Sequence, residues 1–528
     1  MPEQLDRINL GDPPTKQSSV GTSLLFGSGQ GALSASYDQR PSHETRLTLL
    51  NIFRDRVDSI FKVTHWPSLV ETFVPERADH SLTPAQKALE ACIYFAATCA
   101  LTDDELGERE LITHQYRDSA EASLARADLL SSHDLIVLQG FAIFLAALRT
   151  TNTDAASWAL VALLIRLAEA QDLGTDSPSS RSPFEVEMRR RLWISIGVLD
   201  VQSAFDRGTK LLLGHELDPP LPVNINDDQI SPSSTVAPLP SPTSQPTEMT
   251  LCCMTHRAVI CQRRLNSAGM VPEDANKSTS EIWAKKVNIV NSFKAYVDEL
   301  GAICAVSSTP FTRYAVTCGH GCLVTMKLLM RRPIQRQIHA KPPPEDDFNT
   351  LELATEVLER SILRYHPEFW PWTWFAWVKW YALAIVLAEL CARPDAPGWD
   401  RHWRVAKDAF ESYATMVADS DSGLLWKPVK RLMQKARERM GAVEVQMAAP
   451  PAFGVVEGGL QAPPPVSLSG NSGPSIAVGI TGGMAPLPSW DAGSEGATSW
   501  INWESFIDDV SQQGKGWGSW ADPSFSMQ

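Results

Sequence analysis

The chain has 528 residues, of which 44% are hydrophobic, so it is long enough for roughly two to four domains and can bury a sizeable core. Its net charge of −14 at pH 7 disfavours nucleic-acid binding by the surface as a whole, although a small basic patch is compatible with that charge. The nine cysteines are scattered and odd in number, and no secretory signal opens the sequence, which favours an intracellular protein with reduced, mostly core-filling thiols.

The N-terminal segment 1–42 is rich in Gly, Ser, Pro and Gln and contains no cysteine. Such a composition buries too little apolar surface to fold, so we predict a disordered tail. Apolar residues at helical spacing from Leu49 to Phe61 place the beginning of the folded domain at residue 43. His65 follows this stripe without a nucleophile or carboxylate beside it, and we interpret it as a turn histidine rather than a catalyst.

Helical patterns continue over residues 85–100, 108–130, 134–150 and 155–173. The most apolar of these segments is interrupted by Gln139 and Gly140 and falls short of the ~20 residues that span a bilayer. We therefore expect helices that are buried in a protein core and no membrane span.

The next predicted helix begins near Ser182, a plausible N-cap, and ends near Gly208. Three consecutive arginines, Arg189, Arg190 and Arg191, lie in its first half. They could bind a phosphate or the DNA backbone, but near the start of a mostly buried helix we favour ion pairs with acidic neighbours.

Around these arginines the sequence has an acidic residue, a Leu-Trp step, a Leu-Asp step and a Pro-x-Pro exit: Glu187, Arg189, Arg190, Arg191, Trp193, Asp200 and residues 218–222. This pattern resembles the middle homology region of fungal zinc-cluster transcription factors. The family's Arg-Pro step after the glycine is replaced here by Thr209 and Lys210. Weaker motif matches extend the resemblance over residues 43–440. It implies a large all-α regulatory domain of a nuclear protein that controls transcription, commonly of a metabolic or secondary-metabolite gene set.

Residues 225–250 are dense in Pro, Ser and Thr, and we predict a loop or disordered insertion within this domain. Asp227 and Asp228 lie in it. A terpene cyclase would need a carboxylate set at helical spacing to hold Mg²⁺, so we interpret both aspartates as solvated caps.

The pattern of residues 370–392 predicts one helix, and this segment is unusually rich in aromatic residues. Trp374, Trp377 and Tyr381 would share one of its faces. Aromatic residues in such a cluster usually fill the space between packed helices, and this is the interpretation we favour. The alternative is that the three side chains line a pocket for a small metabolite.

Two further helices, over 399–419 and 426–440, complete the predicted domain, and the tail 441–528 has the composition of a disordered segment. Residues 500–510 of this tail combine acidic and apolar side chains, which is typical of an activation segment that folds into a partner's groove. Its key residues are Trp500, Trp503, Phe506, Ile507, Asp508 and Asp509. A helix that docks onto its own domain is the alternative.

No catalytic, cofactor or metal motif is identified, so we expect no enzyme, no cofactor and no metal site. Cys318 and Cys322 lie beside His320 on a predicted helix, but two thiols do not complete a zinc site.

Our hypothesis is a nuclear transcription regulator that reaches DNA only indirectly. In zinc-cluster factors the DNA-binding cysteines normally lie in the N-terminal segment, where this sequence has none, so the expected partner is a DNA-binding transcription factor or a co-activator protein. A homodimer and a heterodimer both remain open. The alternatives are a small-molecule sensor or modulator without direct DNA contact, and a gene product that has lost its zinc-cluster exon.

Overall fold

The computed structural model describes residues 40–75, 81–107, 109–151, 155–175, 181–207, 209–214, 220–241, 245–331, 349–394, 396–414 and 426–448. Within these ranges every regular element is a helix, as the sequence predicts for an all-α fold. None of the described helices combines the length and the apolar character that a bilayer span requires.

The first part of the fold consists of helices α1 (His43–Ile52), α2 (Trp66–Phe73), α3 (Pro84–Cys99), α4 (Asp103–Leu106), α5 (Arg109–Arg126), α6 (Leu135–Leu148), α7 (Ala155–Ala170) and α8 (Pro183–Arg207). A π-helical turn, Phe53–Asp58, continues α1. Helix α3 packs against α1, α5 and α6, and α8 packs against α6 and α7. The approach of α6 to α3 depends on Gly140, because a Cβ there would lie 3.3 Å from the Leu89 Cα.

The second part consists of α9 (Thr250–Ser267), α10 (Thr279–Val306), α11 (Pro310–Leu329), α12 (Thr350–Leu363), α13 (Trp370–Thr373), α14 (Trp380–Ala392), α15 (Trp399–Ala414) and α16 (Trp426–Ala448). Helix α14 is almost entirely buried between α12, α15 and α16. Helix α9 contacts α8, α10 and α11, and it therefore joins the second part of the fold to the first.

One continuous apolar core runs through both parts of the described chain. Large side chains from distant segments, including Trp193 and Trp426, are fully buried in it. The predicted N-cap of α8 is confirmed, since the Ser182 hydroxyl accepts a hydrogen bond from the Glu185 N–H at 3.2 Å. The predicted tails lie outside the described residues, apart from 40–42 and 441–448.

The prediction of one continuous helix over 370–392 is wrong. Helix α13 ends at Thr373, and residues 376–379 are not helical before α14 begins at Trp380. Trp374 and Trp377 therefore do not share a helical face with Tyr381. The indole of Trp374 donates to the carbonyl of Arg56 at 2.9 Å, which holds it on the π-helical turn instead.

Candidate functional site

Helix α8 buries the last of its three arginines completely. The side chain of Arg191 is 0% exposed, and its Nε donates to Glu187 Oε1 at 3.0 Å, one helical turn earlier. Its Nη1 donates to Asp227 Oδ1 at 2.7 Å and to the Thr64 carbonyl at 3.3 Å. A buried guanidinium with two carboxylate partners is a structural ion pair, as we predicted for this arginine.

A buried lysine extends this group of charges. Lys62 Nζ lies 2.5 Å from Asp58 Oδ2 and 2.9 Å from Asp227 Oδ2. Asp227 therefore bridges the lysine and the arginine through its two carboxylate oxygens. We call Asp58, Lys62, Glu187, Arg191 and Asp227 the buried ionic cluster; it joins three segments that are far apart in the sequence.

The pKa values in the buried ionic cluster follow from burial and from the neighbouring charges. Burial tends to raise the pKa of Asp227, but the charges of Lys62 and Arg191 outweigh it and hold that pKa at about 2. Burial tends to lower the pKa of Lys62, yet Asp58 and Asp227 raise it above the usual lysine value. For Asp58 burial dominates and raises the pKa.

The interpretation of Asp227 as a solvated cap is wrong. The residue is 2% exposed, and besides its ion pairs it accepts a hydrogen bond from the Trp66 N–H at 2.8 Å. The neighbouring Asp228 is exposed. Nothing in the local sequence distinguishes the two aspartates, because the cations that surround Asp227 belong to the π-helical turn region and to α8.

His65 secures the same loop from the other side. Its Nε2 donates to the carbonyls of Asp227 and Ile230 at 2.9 and 3.0 Å, and its Nδ1 accepts from the Ser68 N–H at 3.4 Å. The ring thus caps the start of α2 and holds residues 225–230 against it. This matches the interpretation of a turn histidine, with the difference that its main partners lie far along the chain.

The other arginines of α8 and the following tryptophan also have structural surroundings. Arg189 is 8% exposed and donates to the carbonyl of Gln171, whereas Arg190 is partly exposed. Trp193 is buried against Gly174, where an added Cβ would lie 3.0 Å from the indole ring. The motif therefore fixes α8 against the loop that follows α7.

Asp200 binds the backbone of the segment that follows α8. Its carboxylate oxygens accept hydrogen bonds from the N–H groups of Leu212 and Leu213 at 3.0 and 2.9 Å. Burial raises the pKa of Asp200 despite these hydrogen bonds and the nearby charge of Arg263. Arg263 approaches α8 at Gly197, where an added Cβ would lie 2.5 Å from its Nη2.

The predicted pocket aromatics are each packed against other parts of the protein. Trp377 lies edge-on to Phe205 with 5.9 Å between the ring centroids, and Tyr381 is 3% exposed with its hydroxyl 3.4 Å from Thr325 Oγ1. Trp380 donates to the Phe205 carbonyl at 2.8 Å. The contacts with Phe205 join α14 and its preceding segment to the end of α8, and the Tyr381 contact joins α14 to α11. A ligand role for the predicted three stays a prediction.

Lys379 lies beside these aromatic residues and was not singled out by its sequence context. Its ammonium lies 5.0 Å from the Trp377 ring centroid, and the residue is 6% exposed. Burial, reinforced by the positive charge of Arg364, lowers its pKa to about 7. No residue pattern near Lys379 predicts this burial.

The predicted activation segment, residues 500–510, lies outside the described residues.

The two cysteines that lie beside His320 do not form a metal site. Cys318 and Cys322 are free thiols, and burial raises the pKa of Cys318 to about 11. In the described part of the chain no three His, Cys, Asp or Glu side chains are grouped as a metal site requires.

The fold and the buried ionic cluster together define a large helical domain that is organised around paired internal charges. Residues 50–282 match the family model described as the fungal specific transcription factor domain. Every member of the buried ionic cluster falls within this match. These residues are therefore similar to that domain, which confirms the resemblance seen in the sequence.

Curated relatives extend the similarity beyond this domain. The C6 finger domain transcription factor adaR of Aspergillus niger is 26% identical over 422 residues, which cover 75% of this chain and 53% of that protein. The C6 finger domain transcription factor nscR of Aspergillus fumigatus is 26% identical over 458 residues, which cover 80% of this chain and 57% of that protein. The Aurofusarin cluster transcription factor aurR2 of Gibberella zeae is 26% identical over 399 residues, which cover 73% of this chain and 59% of that protein. The chain thus spans somewhat more than half the length of these relatives.

Proposed function

We propose that this protein regulates transcription in the nucleus and controls a set of genes for the biosynthesis of a metabolite. The observation that carries the proposal is the match of residues 50–282 to the fungal specific transcription factor domain. Relatives along most of the chain bear the names of transcription factors, and one of them is named for the aurofusarin cluster. The family and these relatives are not described as enzymes.

We also propose that the described domain reaches promoters through a DNA-binding protein or a co-activator. Two of the three arginines on α8 are unsuited to phosphate contact, because Arg191 is enclosed by carboxylates and Arg189 is bonded to a backbone carbonyl. The net charge of −14 opposes a broad electrostatic attraction to DNA. Both observations favour protein contacts over direct DNA contacts by this domain.

The test is chromatin immunoprecipitation with sequencing on the tagged full chain, with an untagged strain as control. Discrete promoter peaks, together with altered transcripts of the adjacent genes after deletion, are the expected result. A tagged protein that stays outside the nucleus, or that recovers no DNA above the control, contradicts the proposal.

Direct and indirect DNA contact can then be separated with the recovered promoter fragments. The purified chain alone is expected not to shift these fragments in a gel, whereas a nuclear extract that contains it is expected to do so. A shift by the purified chain at physiological salt would contradict the partner and leave the regulatory role in place.

The activation segment is a further part of this proposal. Residues 441–528, fused to an unrelated DNA-binding domain, are expected to activate a reporter gene. Replacing Trp500 and Trp503 by Ala should remove most of the activity, since aromatic side chains would supply the buried contacts with a co-activator. The matched control replaces Trp517 and Trp520, which lie in the same tail outside the segment; equal losses in both double variants would contradict the assignment.

A further inference from the structure

A cleft of about 600 Å³ opens between the loop that follows α8 and the helices α9 and α10. This volume lies within the range of roughly 300–1,000 Å³ that is typical of pockets for small organic ligands. Residues 221–224 form the loop wall, and Leu300 and Ile303 of α10 are apolar residues that also line the cleft. The cleft adjoins the buried ionic cluster, yet none of the cluster's residues lines it.

His256 is one of the residues that line the cleft. The residue is 2% exposed, and its Nδ1 has no hydrogen-bond partner in the protein. A buried polar atom without a hydrogen-bond partner costs free energy. A bound molecule that forms a hydrogen bond with this ring would therefore stabilise the complex. Burial and the charge of Arg191 lower the pKa of His256 to about 3, which keeps the imidazole neutral at physiological pH.

Tyr296 adds an aromatic ring to the residues that line the cleft. The guanidinium carbon of Arg257 lies 4.4 Å from the ring centroid of Tyr296, and both residues line the cleft. Glu299 also lines it, so the cleft contains one cationic and one anionic side chain. This balance, together with the neutral imidazole, favours a ligand without net charge over an anion such as a phosphate or a carboxylate.

We propose that this cleft binds an uncharged aromatic small molecule that carries a hydroxyl or carbonyl group. The aromatic part packs between the apolar wall of residues 221–223 and Tyr296, and the polar group hydrogen-bonds His256. The inference goes beyond the regulation of transcription, because it concerns a ligand of the isolated protein and does not depend on any contact with DNA.

Ligand binding is coupled to the domain interior through the loop that forms the wall. The Val223 N–H donates to Glu187 Oε2 at 3.2 Å, and Glu187 is a partner of Arg191 in the buried ionic cluster. Asn224 Oδ1 accepts from the Thr247 hydroxyl at 2.6 Å, and the Ser241 N–H donates to the Asn224 carbonyl at 3.0 Å. A molecule seated in the cleft therefore holds residues 220–224 more firmly on the domain.

The binding test uses the purified full chain and 1-naphthol, a neutral aromatic alcohol, with naphthalene as the analogue that lacks the hydroxyl. Isothermal titration calorimetry is expected to show saturable binding of one 1-naphthol per chain, at least fivefold tighter than naphthalene. The substitution Ala295→Trp fills the cleft from an exposed position of α10 and should weaken binding at least tenfold.

The matched control is Ala284→Trp, because Ala284 is also an exposed alanine of α10 but does not line the cleft. It should bind 1-naphthol as the native chain does. Equal binding by the native chain and by Ala295→Trp, or equal losses in the two tryptophan variants, overturns the proposal. Absence of saturable binding to the native chain overturns it as well.

The role of His256 is tested by His256→Phe, which should remove the preference for 1-naphthol over naphthalene. Hydrogen exchange on the native chain provides an independent readout that needs no variant. Bound 1-naphthol should slow amide exchange at least threefold in peptides covering residues 220–224, with no change in α15. Unchanged exchange in the loop at saturating 1-naphthol contradicts the proposed seat of the ligand.

Discussion

Among the residues that the structure describes, two lysines are buried, and their surroundings shift their pKa values in opposite directions. Lys62 lies in the buried ionic cluster, where two aspartates raise its pKa. Lys379 lies among aromatic side chains near α14, where burial and the charge of Arg364 lower its pKa to about 7. Both residues are almost inaccessible to solvent, at 2% and 6% exposure. Burial alone therefore does not decide the charge state; the partners do.

The comparison shows two ways of joining distant segments of one chain. The buried ionic cluster connects the turn after α1, helix α8 and the loop at Asp227 through paired charges, so each partner must be present. Trp374, Trp377, Trp380 and Tyr381, which we call the aromatic region, connect the π-helical turn, the end of α8 and α14. They do so through ring packing and through single hydrogen bonds from indoles to carbonyls. The first region is sensitive to the loss of one charge, and the second to the loss of volume.

The largest expected effect comes from removing the central cation of the ionic cluster. The substitution Arg191→Met leaves Glu187 and Asp227 buried with fewer positive charges, so we expect a loss of about 3–5 kcal/mol in the free energy of unfolding. Urea denaturation followed by circular dichroism measures it. The control Arg190→Met changes a partly exposed arginine on the same helix and should cost less than about 1 kcal/mol. Similar losses in both variants would mean that the cluster does not organise the domain.

The next effect concerns pH and His256. In the unfolded chain the imidazole of His256 takes up a proton below pH 6.5, whereas in the folded chain it stays neutral until about pH 3. The free energy of unfolding therefore falls as the pH falls. Between pH 6.5 and 4 this histidine accounts for on the order of 3 kcal/mol. The free energy of unfolding of the native chain, relative to that of His256→Phe, should therefore fall by about 3 kcal/mol between pH 6.5 and pH 4. Parallel pH profiles of the two proteins would contradict the burial of a neutral imidazole.

The aromatic region should respond in the opposite sense to the loss of its lysine. The unfolded Lys379 keeps its proton up to about pH 10.5, whereas the folded one releases it above about pH 7, so burial of this lysine destabilises the protein at neutral pH. We expect Lys379→Met to stabilise the domain by about 2 kcal/mol at pH 7, with a gain that shrinks towards pH 10. The companion variant Lys62→Met should destabilise it. Thermal melts of both variants at pH 7 and pH 9.5 check the opposite signs.

The smallest expected effect is the loss of one indole hydrogen bond. Trp374→Phe keeps the aromatic packing but leaves the Arg56 carbonyl without its donor, which should cost about 1 kcal/mol. Trp370→Phe serves as the control, since Trp370 is 55% exposed and its replacement should change the stability by less than about 0.5 kcal/mol. Urea denaturation compares the two. A larger loss from Trp370→Phe would mean that the exposed indole of Trp370, and not the hydrogen bond of Trp374, stabilises this region.

Local patterns in the sequence predicted the helices and the family well. Ser182 begins α8 as its N-cap, and the arginine motif marks a domain that the family comparison confirms. The same local reasoning was wrong about Asp227, whose burial depends on Lys62 and Arg191. It was also wrong about the helix through Trp374, because propensity cannot show that an indole will bond to a carbonyl more than 300 residues earlier.

The sequence by itself determined the all-α class, the beginning of α8, and the family to which its arginine motif points. These features depend on spacing and capping within one segment, where side-chain periodicity directly sets which face is buried. Only the tertiary structure decided which of two adjacent aspartates is buried, which lysine is paired, and where a cleft opens beside His256. Each of these depends on groups brought together from distant segments, and their burial and charge state follow from that environment and not from the residue type.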